Sequence, residues 1–221
     1  MSKIEEVYAA YVNGAFGQIT LAGVVEAVME TSGITMWRHP LGFYHAELTH
    51  LVPAESKERF RLHVWLDAVG SSDSLGDLHE HTWDLTSLVL AGSVRDSNFS
   101  PVASPSGRYM GSRIRYDDVN TAESVGSFDL VPVVERKIEV GEHYQIPSRT
   151  IHLNSPGSIP TVTLVRSLED QRGDGPLVLS PKSVNAVFAT GTRERVDLAN
   201  VMAKLNQMLA SAAHPEGRAR R

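Results

Sequence analysis

No cysteine occurs among the 221 residues. This excludes a disulfide, a thiolate metal ligand and a cysteine nucleophile, and it fits a reducing compartment. Long apolar runs are also missing, since none approaches the roughly 18–20 residues that span a bilayer. The opening residues, Met1-Ser-Lys-Ile-Glu-Glu, lack the charged-then-apolar pattern of a secretory signal, so a cytoplasmic location and no membrane partner are expected. Basic charge is in deficit: 21 Lys and Arg against 26 Asp and Glu leave a formal net charge of −5. A chain without a basic face is a poor non-specific nucleic-acid binder, and the short tail Arg218-Ala-Arg-Arg221 does not change that. There is no internal repeat and no second-domain linker. The length suits one well-packed core, hence a single domain.

What is present begins with helical texture over residues 1–35. Ser2 with Glu5 forms a capping-box pattern. Ile4, Val7, Tyr8, Tyr11 and Val12 recur at helical spacing, and after Asn13-Gly14 a second run, Leu21, Val24, Val25 and Val28, stops at Gly33. This reads as an N-terminal helical cap.

Residues 36–190 read as β. Segments such as Phe60-Arg-Leu-His-Val-Trp-Leu66 alternate, and many short strands with turn signals between them indicate a closed or double-sheet all-β core. A single strand is expected over His79–Leu90. Loops are expected at Gly70–Gly76, Asp96–Gly107 and Asp117–Ser127. Arg193–Ala213, within the segment 191–213, reads as a C-terminal helix, with Val196, Leu198, Val201, Leu205 and Leu209 as its stripe, and 214–221 as a flexible tail. The apolar stripes of the terminal helices offer a surface for a homodimer.

The most informative residues are His79-Glu80-His81 and, far downstream, His152. Two histidines at i and i+2 on a strand point to one face, where unpaired imidazoles facing a barrel interior would be costly. A third histidine from a neighbouring strand completes a three-nitrogen metal site with open positions for substrate or oxygen. His39, His50, His143 and His214 have no partner at ligand spacing and read as packing or surface residues. Asp84, three residues past His81, falls on the opposite face of a regular strand.

Together the two segments resemble the paired signatures of the cupin superfamily over roughly residues 60–167. The first signature has His-x-His followed by a closing glycine, here Gly92. The second has Gly-x5-Pro-x-Gly-x2-His, matched by Gly141, Pro147 and His152, with Arg149 in place of the inner glycine and Asn154 earlier than the usual asparagine. No glutamate stands at the usual place after His81. The resemblance implies a cupin double-stranded β-helix, a jelly-roll barrel, flanked by the N-terminal cap and the C-terminal helix.

Within cupins, Phe60 to Leu66 with Leu78-His-Glu-His-Thr82 and Leu88 to Gly92 is most similar to the thiol dioxygenases of the cysteine dioxygenase type. That resemblance implies His79, His81 and His152 as ligands of iron(II), with a small anionic or thiol-containing substrate and O2 as partners. The Ser-x-His-x-Tyr run of the cysteine-specific enzymes is replaced by Thr163-Leu-Val-Arg166-Ser, and His45 stands near the place of their carboxylate-binding arginine. The same three ligands also accept zinc, nickel or manganese and would serve a lyase or isomerase, or a non-catalytic small-molecule binder. Strand parity adds candidates around the metal. His63 and Tyr144 are candidates for proton transfer. Arg61, Trp83, Arg113, Arg115 and Arg166 are candidates for substrate contact, with Arg113 and Arg115 read as a clamp on one face.

Overall fold

The computed structural model describes residues 1–39, 41–49, 58–67, 78–115, 121–169, 174–182 and 194–213. The expected loop 70–76, the tail 214–221, His50, His214 and Arg193 lie outside the described residues.

Two short helices open the chain, α1 (Lys3–Val12) and α2 (Leu21–Glu30). The capping box is present: Ser2 Oγ accepts from the Glu5 amide while Glu5 accepts from the Ser2 amide. Thr20 caps α2 through Gly23. Thirteen strands follow: β1 (Thr35–Arg38), β2 (Tyr44–Glu47), β3 (Glu58–Trp65), β4 (Leu78–His79), β5 (Trp83–Ala91), β6 (Val94–Ala103), β7 (Tyr109–Arg115), β8 (Thr121–Ile138), β9 (His143–Ile146), β10 (Ile151–Pro156), β11 (Thr161–Glu169), β12 (Leu177–Pro181) and β13 (Glu194–Val196). Helix α3 (Leu198–Ala213) ends the described chain. The expected all-β core with terminal helices is the observed architecture.

All strand pairs among the described residues are antiparallel. Seven strands form one sheet in the order β13-β1-β2-β3-β11-β5-β9, and six close into a ring, β10-β4-β12-β7-β8-β6. Together they make a double-sheet jelly-roll core. The seven-stranded sheet is covered on one face by the helices: Phe60, Leu62, Val64, Val162, Leu164 and Leu88 are buried in one cluster with Ile4, Tyr11, Val24, Val28, Met202 and Leu205. Tyr11 fastens the cap, its hydroxyl placed 2.8 Å from Thr86 O and 3.2 Å from Leu164 O. On the ring, Leu78, Ile151, Phe99, Leu177, Leu179 and Leu130 pack together on one face of the wall. The opposite face of β4 and β10 carries His79 and His152 and meets the seven-stranded sheet, as the Asn154–Tyr144 contact between β10 and β9 records.

Four sequence expectations are corrected. The strand expected over 79–90 is broken at 80–82, because the chain crosses there from the ring (β4) to the large sheet (β5). The stretch 96–107 is largely strand, in β6, and so is the described part of the second expected loop, Thr121–Ser127, in β8. Cross-strand pairing along Asp96–Ala103 and Thr121–Ser127 overrides their Ser, Pro, Asn and Gly content. Residues 194–196 form β13, which pairs with β1, so the last helix begins at Leu198.

The turn between β5 and β6 depends on Gly92. Its φ is +69°, and a Cβ there would lie 2.4 Å from Pro160 O and from Thr161 Oγ1. Only glycine fits both the left-handed backbone and that approach.

Candidate metal centre

His79 is held on β4 directly opposite His152 on β10, so both side chains leave the same face. His81 follows in the crossover to β5. The three ring centroids form a near-regular triangle, with sides of 4.7 Å (His79–His81), 4.6 Å (His79–His152) and 4.8 Å (His81–His152). One nitrogen from each ring lies within 4.8 Å of the other two. A cation bonded to each at about 2.0–2.1 Å would draw them closer still, so the donor set fits a divalent metal held on one side by three imidazoles.

The electrostatics agree with that fit. His152 has its proton affinity pushed down to about 3, by burial first and then by His79, against the opposing hydrogen bond to Thr150 O. His81 lies well below the ordinary imidazole range, through burial and then the charges of His79, His152, Arg61 and His63. His81 and His152 are therefore unprotonated at neutral pH, the form that binds metal. His152 Nδ1 sits 3.1 Å from the Thr150 carbonyl, which places the ring proton there and leaves Nε2 for a metal. Trp83 stacks on His81 at 4.7 Å with an interplanar angle of 16°, fixing that ring from outside the triangle.

Behind the three histidines stands a group that sequence reading passed over. Glu80, between the two histidines, is 4% exposed. It accepts from Arg113, from Arg149 at 2.9 Å and from the Leu177 amide at 3.1 Å. Both guanidiniums also donate to Gly175 O. The Arg149 amide donates to His81 O at 2.8 Å, and Arg149 holds a φ of +65°. The position where the cupin signature that this segment resembles has glycine is thus left-handed here while carrying a side chain. That side chain ties the turn before His152 to the segment that carries His79 and His81. The unusual arginine at a glycine position was the signal.

The remaining candidates divide by strand parity. Odd residues of β3 and β11 face the metal layer, even ones the helices. His63 pairs with His45 on one side and Thr163 on the other, and its proton affinity is well below the ordinary range through burial, then Arg61, His45 and His39. Phe43 packs on His63 and Trp65 at 4.7 and 5.0 Å. Arg61 shares this face and its charge reaches both His63 and His81, while its Nε donates to Glu47 Oε2 at 2.9 Å. Tyr144 also reaches the layer. With the Asn154 amide turned to suit its neighbours, the tyrosine hydroxyl donates to Asn154 at 3.1 Å and Asn154 donates to Asp96 Oδ1 at 2.7 Å. Asp96 is bonded in turn by Arg136 at 2.9 Å.

Three arginines are not where the sequence reading put them. Arg166 is opposite Phe60, on the helical face, and binds Glu58, which also holds the Tyr8 hydroxyl. Arg113 is opposite Leu177, on the face of the ring wall turned away from His79, because Val178 is the residue paired with His79 and Ser112 with Val178. Arg115 is exposed and paired with Glu123 at 2.8 Å, so no Arg113–Arg115 clamp faces the histidines. Asp84 is exposed and accepts the Ser148 amide at 2.8 Å.

No protein-family model and no curated protein matches the chain. Among solved structures it is similar to an oxalate decarboxylase variant from Bacillus subtilis (14% identity, 62% of this chain and 28% of that one, TM-score 0.38). It is also similar to the formate complex of oxalate decarboxylase from Lactobacillus farciminis (14%, 62% and 31%, TM-score 0.38). A third likeness is to a DMSP lyase (17%, 70% and 67%, TM-score 0.40). The chain thus spans about a third or less of the oxalate decarboxylases it matches. These likenesses are loose, and the metal centre stands on its own geometry. No helix among the described residues is long and apolar enough to cross a membrane.

Proposed function

We propose that the protein is a metal-dependent enzyme of the cupin type, with His79, His81 and His152 as the ligands. The observation that carries this reading is the triangle of three imidazoles, with His152 buried and the proton affinities of His81 and His152 both lowered. Our finer reading is an iron(II) dioxygenase acting on a small anionic or thiol-containing substrate. Iron(II) would supply oxygen activation there, whereas zinc, nickel or manganese would supply Lewis-acid polarisation only.

The chain's own residues have defined tasks in this reading. Arg61 attracts the substrate's negative charge, its guanidinium being oriented by Glu47. A ring nitrogen of His63, kept neutral by burial and by Arg61, accepts a proton from the substrate. Trp83 fixes the His81 ring. The Tyr144–Asn154–Asp96 chain gives the layer a second polar wall.

A second reading, a metal-dependent lyase or isomerase, is supported by the same neutral His63, since an unprotonated imidazole beside a Lewis acid can take a proton without oxygen. Metal content by mass spectrometry of the wild type and of His81→Ala tests the common premise: about one metal per chain, lost in the variant, is expected, and no metal in either protein would leave a ligand-binding barrel. Oxygen uptake across thiols and small carboxylates then separates the readings. Turnover under strict anaerobiosis would remove the dioxygenase.

A further inference from the structure

The row across the ring wall does not end at the histidines. β10 lies between β4 and β6, and the register His79–His152–Asn98 places the Asn98 side chain on the same face, directly beside His152. Asn98 is 7% exposed, and among the described residues its Oδ1 meets no hydrogen-bond donor. Across the layer Thr163, fully buried in register with His63, has an equally unpartnered Oγ1. Buried polar atoms are nearly always paired, because an unpaired one loses its water without replacement. An orphaned carbonyl oxygen beside a metal ligand is thus an acceptor awaiting a donor. The partner of Asn98 on β8 is the apolar Val134.

We propose that Asn98 is a specificity-determining contact for the ligand of the metal. Its Oδ1 accepts a hydrogen bond from an O–H or N–H carried by the atom next to the ligand's carboxylate carbon. The favoured class is therefore a small 2-hydroxy or 2-amino carboxylate, with the carboxylate toward the metal and Arg61 and the donor toward Asn98. This deepens the reading of the triangle as a metal centre and rests on it. It adds what that reading lacks, a feature that selects among small anions.

The test uses the full chain loaded with cobalt(II), whose visible absorption reports ligand exchange. Glycolate is titrated against methoxyacetate, which keeps the carboxylate and the ether oxygen but has no O–H. The wild type should bind glycolate about tenfold more tightly, the discrimination of one good hydrogen bond. Asn98→Leu, close in size but without an acceptor, should abolish the preference for glycolate over methoxyacetate. Asn98→Asp keeps an acceptor oxygen and should retain the preference, which guards against a Leu variant that fails to fold. Equal binding of the two acids by the wild type, or a preference that survives in Asn98→Leu, would overturn the proposal while leaving the metal centre intact. Failure of the wild type to take up cobalt at all would overturn both.

Discussion

Replacing Arg149 by glycine sets two effects against each other at one position. At a φ of +65° a side chain costs about 1 kcal/mol relative to glycine, through the clash of Cβ with the backbone. Glycine removes that strain, though it also enlarges the unfolded ensemble. Against the relief stands the guanidinium. It donates to the buried Glu80 carboxylate and to Asp174 Oδ1 at 2.9 Å each, and to the carbonyls of Gly175 and Asp174 at 3.1 and 2.7 Å. The bond to Glu80 falls among hydrogen bonds to charged groups, about 1.5–3 kcal/mol, whereas the exposed Asp174 partner adds less than about 1 kcal/mol. Glu80 keeps Arg113 and the Leu177 amide when Arg149 is lost, so its charge is not left bare. Arg149→Gly is therefore expected to lower the unfolding free energy by about 1–2 kcal/mol. Arg149→Ala, which keeps the strained backbone, should lower it by about 1 kcal/mol more. Urea unfolding of the metal-free protein, with equal m-values, measures both. A glycine variant as stable as the wild type would show that the guanidinium contributes no more than the strain, and would refute the view that this cluster holds the turn before His152.

Glu80→Gln leaves two guanidiniums around a neutral amide in a buried setting, and a loss of about 3 kcal/mol is expected in the same urea experiment; a loss under about 1 kcal/mol would mean that the charges are satisfied elsewhere. Tyr11→Phe deletes the hydroxyl that contacts Thr86 O and Leu164 O, and should cost about 1 kcal/mol in a thermal melt without changing metal content. His152, His81 and His63 all have lowered proton affinities. The unfolded chain therefore takes up protons at these sites below pH 6.5, while folded His152 does so only near 3. Stability of the metal-free protein is accordingly full above 6.5 and falls as the pH drops toward 3. Denaturant midpoints that rise on acidification through that window would contradict the burial of neutral imidazoles.

What the sequence made legible follows from how locally each feature is encoded. The helices were readable because a capping box and a 3.6-residue stripe are short-range signals. The juxtaposition of the three histidines was readable because His79 and His81 are two residues apart and the Gly-Pro-His spacing adds His152. The reversals at 96–107 and 117–127 were hidden because their strand character comes from the partner, β6 against β8 and β8 against β7, and polar or glycine-rich residues carry no alternation of their own. The same cause explains the arginines. One strand's parity is easy to guess, but which face meets the metal is decided by register across strands, and Arg113 and Arg166 fell on the other side of it. Glu80 and Asn98 were missed for a related reason. Each is unremarked in its own segment and gains meaning only from a neighbour distant in the chain, Arg149 for one and His152 for the other. The polar residues behind and beside the three histidines are thus the part of the site that pairing between strands creates.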